Sequence, residues 1–526
     1  MAKAYDVVVV GAGSNSLTAA AYLAKVGKNV LVLEKNATCG GAVHSVEPAP
    51  GFIGDPCATS FIICIANPVL THDELGLLSK FGLKLVKADA TFATAFDDGT
   101  GIITYTDVDK TCQTIAKFSQ RDADTYRSFA NACLELLPLL AKGMFTPPPP
   151  FGAFLSMLEQ SPQGRQLVTA MLSSTYDVLD DLFESPELKM HIMKWASELM
   201  VPPETNGTGI APYMMLGLAH TYGPTASVGG SQSLTTALER CIEHYGGTIR
   251  TNADVVKINI SSGKATGVTL KGGEVIDARE AVVANIHPWD LAEFVDGINT
   301  EIAASARRTK LSTYSAINQQ YALHEAPIWK AGPEYGRVAF VECVKRNLQE
   351  ARASFDGYRF GRMPQHPSPL VGVWSNYDQT RAPAGKAAMY CYHFAPMHLE
   401  KGGLEGWDAV KDEVADTIFD EMCKYTTNMD RSKIIARYVT TPLDYHRLSK
   451  VMRHGDIFGI GHYASQSMGR RPIPELGDYR IPGIESLYLA GCTQHPGGCV
   501  TLGGRATTMK MLMDWKIDLK KAFVSL

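Results

Sequence analysis

Residues 6–10 read Asp-Val-Val-Val-Val and run directly into Gly11-Ala12-Gly13-Ser14-Asn15-Ser16. No other stretch restricts the fold so tightly. A continuous β-branched run is a strand covered on both faces, as in a parallel sheet. Residues 17–26 (LTAAAYLAKV) are strong helix formers, and Gly27 ends them. Residues 29–33 (NVLVL) form a second buried strand that stops on Glu34. Together these are one βαβ unit. Glycine at the first strand's end lets the chain turn tightly and lets main chain approach a pyrophosphate. The helix N-terminus offers that phosphate unpaired N–H groups and partial positive charge. An acid at the end of the second strand, about twenty residues past the glycines, accepts the ribose hydroxyls. Glu34 occupies that place. One departure stands out: Ser16 replaces the third glycine, which sets how closely helix and strand pack. Serine is small enough for a slightly looser approach.

The rest of the chain sets outer limits. Its 526 residues, 45% hydrophobic and 20% charged, allow two or three domains or one enzyme with interleaved domains. Eleven cysteines, irregularly spaced and without paired CxxC motifs, exclude a disulfide scaffold and a structural zinc site, so no metal is expected. A net charge of −4 without a basic block argues against a nucleic-acid partner. No apolar run reaches the roughly 18 residues that span a bilayer. The start leads straight into the first strand, so a cytoplasmic location is expected.

Glu34-Lys35 is followed by Cys39-Gly40-Gly41-Ala42-Val43, which continues the phosphate cradle. Acid, five residues, then Gly-Gly resembles the FAD-binding start of the amine oxidase and phytoene desaturase superfamily. Two later blocks strengthen the resemblance. Val228–Leu234 precedes a helix over 235–245, then Gly246-Gly247, then a strand over 254–260. In the family this strand packs over the adenine through its backbone, which puts Val256 there. The block from Gly483 to Gly491 is a strand, and His495-Pro496-Gly497-Gly498-Cys499-Val500 follows before a C-terminal helix. The resemblance implies that this helix N-terminus faces the flavin pyrimidine, where its dipole favours the reduced anionic ring. Within the superfamily the chain is most like the subgroup of carotenoid desaturases, isomerases and retinol saturase. Phe183–Pro186 and Gly455–Phe458 add to that likeness. Gly459-Ile460-Gly461-His462 lacks a following helix and is no second nucleotide site.

The expected fold is α/β: a Rossmann-type FAD-binding domain interleaved with an α+β substrate domain, as in amine oxidases and GDP-dissociation inhibitors. Residues 1–70, 226–298 and 455–526 would build the first. Residues 71–225 and 299–454 would build the second, with a helical insertion. A hairpin is expected at 265–278 around Lys271-Gly272-Gly273, and residues 281–284 should rejoin the nucleotide sheet. Asn285–His287 either sit beside the ribityl chain or form a plain loop. Residues 110–222 are helical, broken by four prolines at 147–150, a rigid surface loop. Phe151, Phe154, Leu155, Met157 and Leu158 follow, packing inward or meeting a substrate entrance or membrane surface. Ser185-Pro186 caps a helix running to about Met200. Residues 387–394 (AAMYCYHF) are a strand with Tyr390 and Tyr392 on one face and Cys391 and His393 on the other.

The implied cofactor is non-covalent FAD, held by Gly11, Gly13, Ser14, Asn15, Ser16, Glu34, Lys35, Gly40, Gly41, Ala42, Val43, Val256, Gly491, Gly498, Cys499 and Val500. Neither attachment through Cys39, Cys492 or Cys499 nor a Cys492–Cys499 disulfide is expected. The catalytic candidates are His495, Tyr392 and His393, with His462 and Tyr463 behind them. A purely conformational role for His495 is the competing reading. The expected reaction takes a hydride from a C–H of a small apolar or alicyclic substrate. Oxygen, a quinone or another diffusible carrier then takes the electrons, because the chain has one dinucleotide motif. Amine oxidation, double-bond isomerisation and a non-catalytic GDP-dissociation-inhibitor-like role are the alternatives.

Overall fold

The computed structural model describes residues 5–498 and 500–524. Its fold is mixed α/β around two large sheets. In the first, strands Tyr5–Val10, Val30–Leu33, Thr248–Arg250, Val275–Ala284 and Ile484–Leu489 run parallel. They come from the start, middle and end of the chain. The central strands are apolar on both faces because helices cover one side and the meander strands 255–261 and 264–270 pack over the other. Helix Ser14–Lys25 is buried almost throughout, which explains its alanine-rich composition. The C-terminal helix Gly504–Asp514 lies against it. That approach needs Gly504, where a Cβ would stand 2.0 Å from the carbonyl oxygen of Asn15.

The middle block joins this sheet through a meander. Strands Val255–Ser261 and Lys264–Leu270 pair antiparallel. Strand Val275–Ala284 pairs antiparallel with Lys264–Leu270 near its start and parallel with Tyr5–Val10 near its end. The second strand of the expected hairpin and the returning strand are thus one continuous strand. The helix expected from 235 begins earlier, over Gln232–His244.

The second sheet has seven strands, ordered Ile434–Thr440, Ser315–Leu323, Ala387–Ala395, Leu370–Gly372, Val338–Val344, Ala90–Phe96 and Gly101–Tyr105. Helices Gln120–Phe145, Pro186–Ala196 and Ala211–Tyr222 pack over one face in a single core rich in aromatic residues. Ser185 caps Pro186–Ala196 as expected, its hydroxyl accepting from the Leu188 N–H. Helix Phe151–Leu158 buries only Leu158, and Met157 is 46% exposed. Its apolar side chains therefore do not form an internal helix. Among the described residues, no helix is long and apolar enough to cross a membrane.

A buried ion pair ties the two sheets together. Arg381 donates to Asp55 at 2.7 Å, and Asp55 also accepts the Ser231 N–H at 2.8 Å and the Ser45 hydroxyl at 2.7 Å. Gln320, from the second sheet, bonds the Asp55 main chain on both sides, at 3.1 and 2.9 Å. Burial alone would raise the Asp55 carboxyl. Arg381 and the N–H donors outweigh it and hold the group below its ordinary value.

Candidate active site

Strand register builds the first half of the site. Leu33, Val10, Ala284 and Leu489 lie in one row at the carboxyl ends of parallel neighbours. The next residues are Glu34, Gly11, Asn285 and Ala490. The main chain holds them in line: Gly11 donates to Leu33, Asn285 to Val10 and Ala490 to Ala284, at 2.8, 3.2 and 3.0 Å. Ligands of open α/β sheets bind in the crevice beyond such strand ends. Here a continuous cleft of about 1910 Å³, mouth included, opens from this row.

The glycine loop after Glu34 folds back on the fingerprint. Gly40 donates to the Ala12 carbonyl at 2.8 Å, and Gly13 and Gly40 form a parallel bridge. Gly40 has φ +120°, and a Cβ there would stand 2.2 Å from the Val43 carbonyl oxygen, so the loop requires glycine. Glu34 accepts the Ala12 N–H at 2.8 Å and the Asn36 N–H at 2.9 Å, fixing its carboxylate at the cleft wall. Asn15 reaches across to the C-terminal segment and accepts the Gly503 N–H at 2.9 Å.

These residues fit a dinucleotide. The helix Ser14–Lys25 begins at Gly13 with no side-chain cap, so its first N–H groups face the cleft unpaired. A Cβ on Gly13 would lie 4.0 Å from the nearest protein atom, the Asn285 amide nitrogen, and would fill the cradle instead of the core. The Asn285 amide oxygen is buried in the cleft wall without a partner among the described residues.

Of the expected cofactor residues, Gly11, Gly13, Ser14, Asn15, Glu34, Lys35, Gly40, Gly41, Ala42, Gly491 and Val500 line the cleft. Asn285, Ile286 and His287 line it too, placing that stretch at the cleft and not in a remote loop. Four expected residues stand elsewhere. Val256 is 38% exposed and points away, and its neighbour Val255 faces the cleft because alternate strand residues face opposite sides. Val43 packs into the core behind the glycine loop. Ser16 lies one step too far along its helix and is buried against the sheet. Gly498 abuts the Phe458 side chain, whose Cβ a Cβ on Gly498 would approach to 2.5 Å. Cys499 lies outside the described residues. Cys492 lines the cleft, and burial pushes its thiol up to about 12, so it stays protonated near neutral pH.

The second half of the cleft belongs to the second sheet and its helices. Tyr390 and Tyr392 project into it from strand Ala387–Ala395, stacked at 5.8 Å between ring centroids and 15° between planes. Trp195, Met200, Met215, Phe340, Leu370 and Phe458 complete an apolar wall. Tyr392 thus sits where a substrate group is expected.

The two histidine candidates do not. His393 follows Tyr392 on the strand and therefore faces away from the cleft. It is buried against Tyr358, and burial pushes its pKa down to about 3. His495 is buried with its Nε2 2.8 Å from the Gly143 carbonyl oxygen, at the end of helix Gln120–Phe145. Burial pushes it down to about 4, so it is neutral. It joins the C-terminal loop to that helix, which is the conformational reading. His462 is half-buried beside Phe458, and the Tyr463 hydroxyl is 2.9 Å from that of Thr313. Neither lines the cleft.

One residue went unnoticed in the sequence. Glu198, just after helix Pro186–Ala196, lines the substrate half. Burial first, and then the Glu342 carboxylate, push its carboxyl up to about 8. It carries no motif. The only signal is a polar residue every three or four positions along an otherwise buried helix.

Residues 17–379 match the family described as flavin containing amine oxidoreductase. The chain belongs to this family. It is an FAD-dependent oxidoreductase, and the residues lining the cleft fit that dinucleotide. Among its relatives is pyridine nucleotide-disulfide oxidoreductase domain-containing protein 2 of Mus musculus. The two are 29% identical, over 94% of this chain and 91% of the relative. A limonene dehydrogenase chain of Castellaniella defragrans is 25% identical, over 95% and 93%. A solved oxidoreductase of Methanosarcina mazei shares the fold, with a TM-score of 0.63 at 16% identity over 96% and 99%.

Proposed function

We propose that this oxidoreductase dehydrogenates adjacent C–H bonds of an apolar, alicyclic substrate. The observation that carries the reading is the make-up of the substrate half. Apart from Glu198, its wall is aliphatic and aromatic, and it continues without a break into the cradle at the strand ends. Bound FAD supplies a hydride acceptor. The chain's own residues do the positioning. Tyr390 and Tyr392 form a flat aromatic wall against which a ring can lie, and Trp195, Met200 and Phe340 exclude water around it. Holding a C–H at about 3–3.5 Å from its acceptor removes much of the entropic barrier. The likeness to the limonene dehydrogenase chain supports a cyclic hydrocarbon as the substrate class. A diffusible carrier, oxygen or a quinone, then takes the electrons.

The family's description favours amine oxidation as the second reading, and paired aromatic rings suit that chemistry as well. Anaerobic titration of the visible flavin band separates the two. Limonene should bleach the holoenzyme and give a product with one more double bond, and colour should return with either oxygen or a quinone. Bleaching by cyclohexylamine and not by limonene would replace the proposal with amine oxidation. A shifted double bond without bleaching would replace it with isomerisation.

A further inference from the structure

Helix Pro186–Ala196 and the turn Ser197–Leu199 that extends it carry Glu187, His191, Lys194 and Glu198. Spacings of four, three and four put all of them on one face. The helix is buried, so each polar group needs a partner. Glu187 pairs with Arg346 at 2.6 Å near the surface. His191 lies between the hydroxyls of Thr94 and Thr104 at 2.9 and 2.7 Å. Lys194 pairs with Glu342 at 2.8 Å, both almost fully buried. Glu198, last in the row, ends in the substrate half of the cleft, with Trp195, Tyr390 and Tyr392 around it. Among the described residues no lysine or arginine forms an ion pair with it, because Glu342 already holds Lys194.

We propose that Glu198 is the catalytic base of the dehydrogenation, taking the proton from the carbon next to the one that yields the hydride. This rests on the dehydrogenase reading above. The balance is simple. Two C–H bonds break and one carbon–carbon π bond forms. One hydrogen leaves with its electron pair to reduce the flavin, and the other leaves as a proton to the Glu198 carboxylate. The substrate loses two electrons. The carboxyl returns its proton to water after the product departs.

The surroundings suit that role. An ordinary solvated carboxylate is a weak base toward carbon. The groups facing Glu198 are Lys194 on its own helix, Glu342 on strand Val338–Val344, Tyr390 and Tyr392 on strand Ala387–Ala395, and Tyr314. Burial and the Glu342 charge raise its proton affinity, while the Lys194 charge opposes them. A base works best with a pKa near the working pH. The other titratable groups are poorer choices. His495 and His393 are turned away, and His287 is pushed down to about 4 by burial with its Nε2 2.9 Å from the Gly459 carbonyl oxygen.

The test uses holoenzyme, with Glu198→Gln and Glu198→Asp beside the wild type, and limonene as the probe. Wild-type single-turnover bleaching should rise with pH through about 8 and then level, because the carboxylate form is the active one. Glu198→Gln should lose on the order of 10²–10⁴-fold of that rate, and the rising limb with it. Its FAD content and oxidised spectrum should match the wild type. Glu198→Asp should recover part of the rate with a displaced limb. Infrared difference spectra between acidic and alkaline wild-type holoenzyme should show a carboxyl band with the same midpoint, absent from Glu198→Gln. Bleaching of Glu198→Gln at the wild-type rate would overturn the base, as would survival of that band. A raised KM with unchanged kcat would make Glu198 a substrate anchor instead. If limonene fails to bleach the wild type, the dehydrogenase reading falls and the base falls with it. If only the variant comparison fails, the dehydrogenase reading stands.

Discussion

The nucleotide half of the cleft is made of main chain, and the substrate half is made of side chains. Gly11, Gly13, Gly40 and Gly41 present backbone at strand ends, and Glu34 is held by two N–H groups at 2.8 and 2.9 Å. Across the cleft, Trp195, Glu198, Phe340 and Tyr392 come from a helix, its extension and two different strands. A backbone cradle is positioned by hydrogen-bond register, which neighbouring strands dictate. A side-chain wall is positioned by packing, which many distant residues share. The first tolerates few substitutions and is recognisable. The second can be rebuilt for another substrate while the fold stays the same.

The largest expected effect lies where the halves join. Arg381→Ala leaves the Asp55 carboxylate buried and unpaired, which should cost about 3–5 kcal/mol of stability by denaturant unfolding. Asp55→Asn together with Arg381→Met should recover much of it. Asp55 titrates below its ordinary value in the folded protein. Its contribution is therefore present above the unfolded carboxylate pKa, and it is lost as pH falls through the lowered folded one. Equal stability of Arg381→Ala and wild type would show that the halves are not joined through this pair.

Next comes the nucleotide half alone. Glu34→Ala should weaken FAD retention on the order of 2–4 kcal/mol, through lost charge-assisted hydrogen bonds, and leave substrate selectivity as it was. Equilibrium dialysis against FAD measures it, and unchanged retention would remove Glu34 from the ribose contact. The smallest effect is expected at the anchor between C-terminal loop and helix. His495→Gln should cost about 1 kcal/mol of stability and change the flavin reduction rate only a few-fold. A loss of a hundredfold or more would return His495 to the chemistry.

Legibility followed the same division. The βαβ unit, the Glu34 position, the Gly40-Gly41 loop and the hairpin before Ala284 could all be read, because each rests on local main-chain geometry. Ser16, Val43 and Val256 missed the cleft by a residue or by a strand face, where a shift of one position reverses which side a chain faces. His495 carried a motif, and its ring meets the Gly143 carbonyl outside the cleft. Glu198 carried no motif and faces the substrate space.

The sequence by itself determined that a glycine cradle fit for a dinucleotide forms at the ends of parallel strands, because glycines and an acid at fixed spacing leave the main chain few alternatives. It also determined that Tyr390 and Tyr392 share one face, since strand residues alternate. Only the tertiary structure decided what lies opposite them. Burial, the neighbouring Glu342 and the prior claim of that residue on Lys194 decide the charge of Glu198, and all three depend on which distant segments pack together.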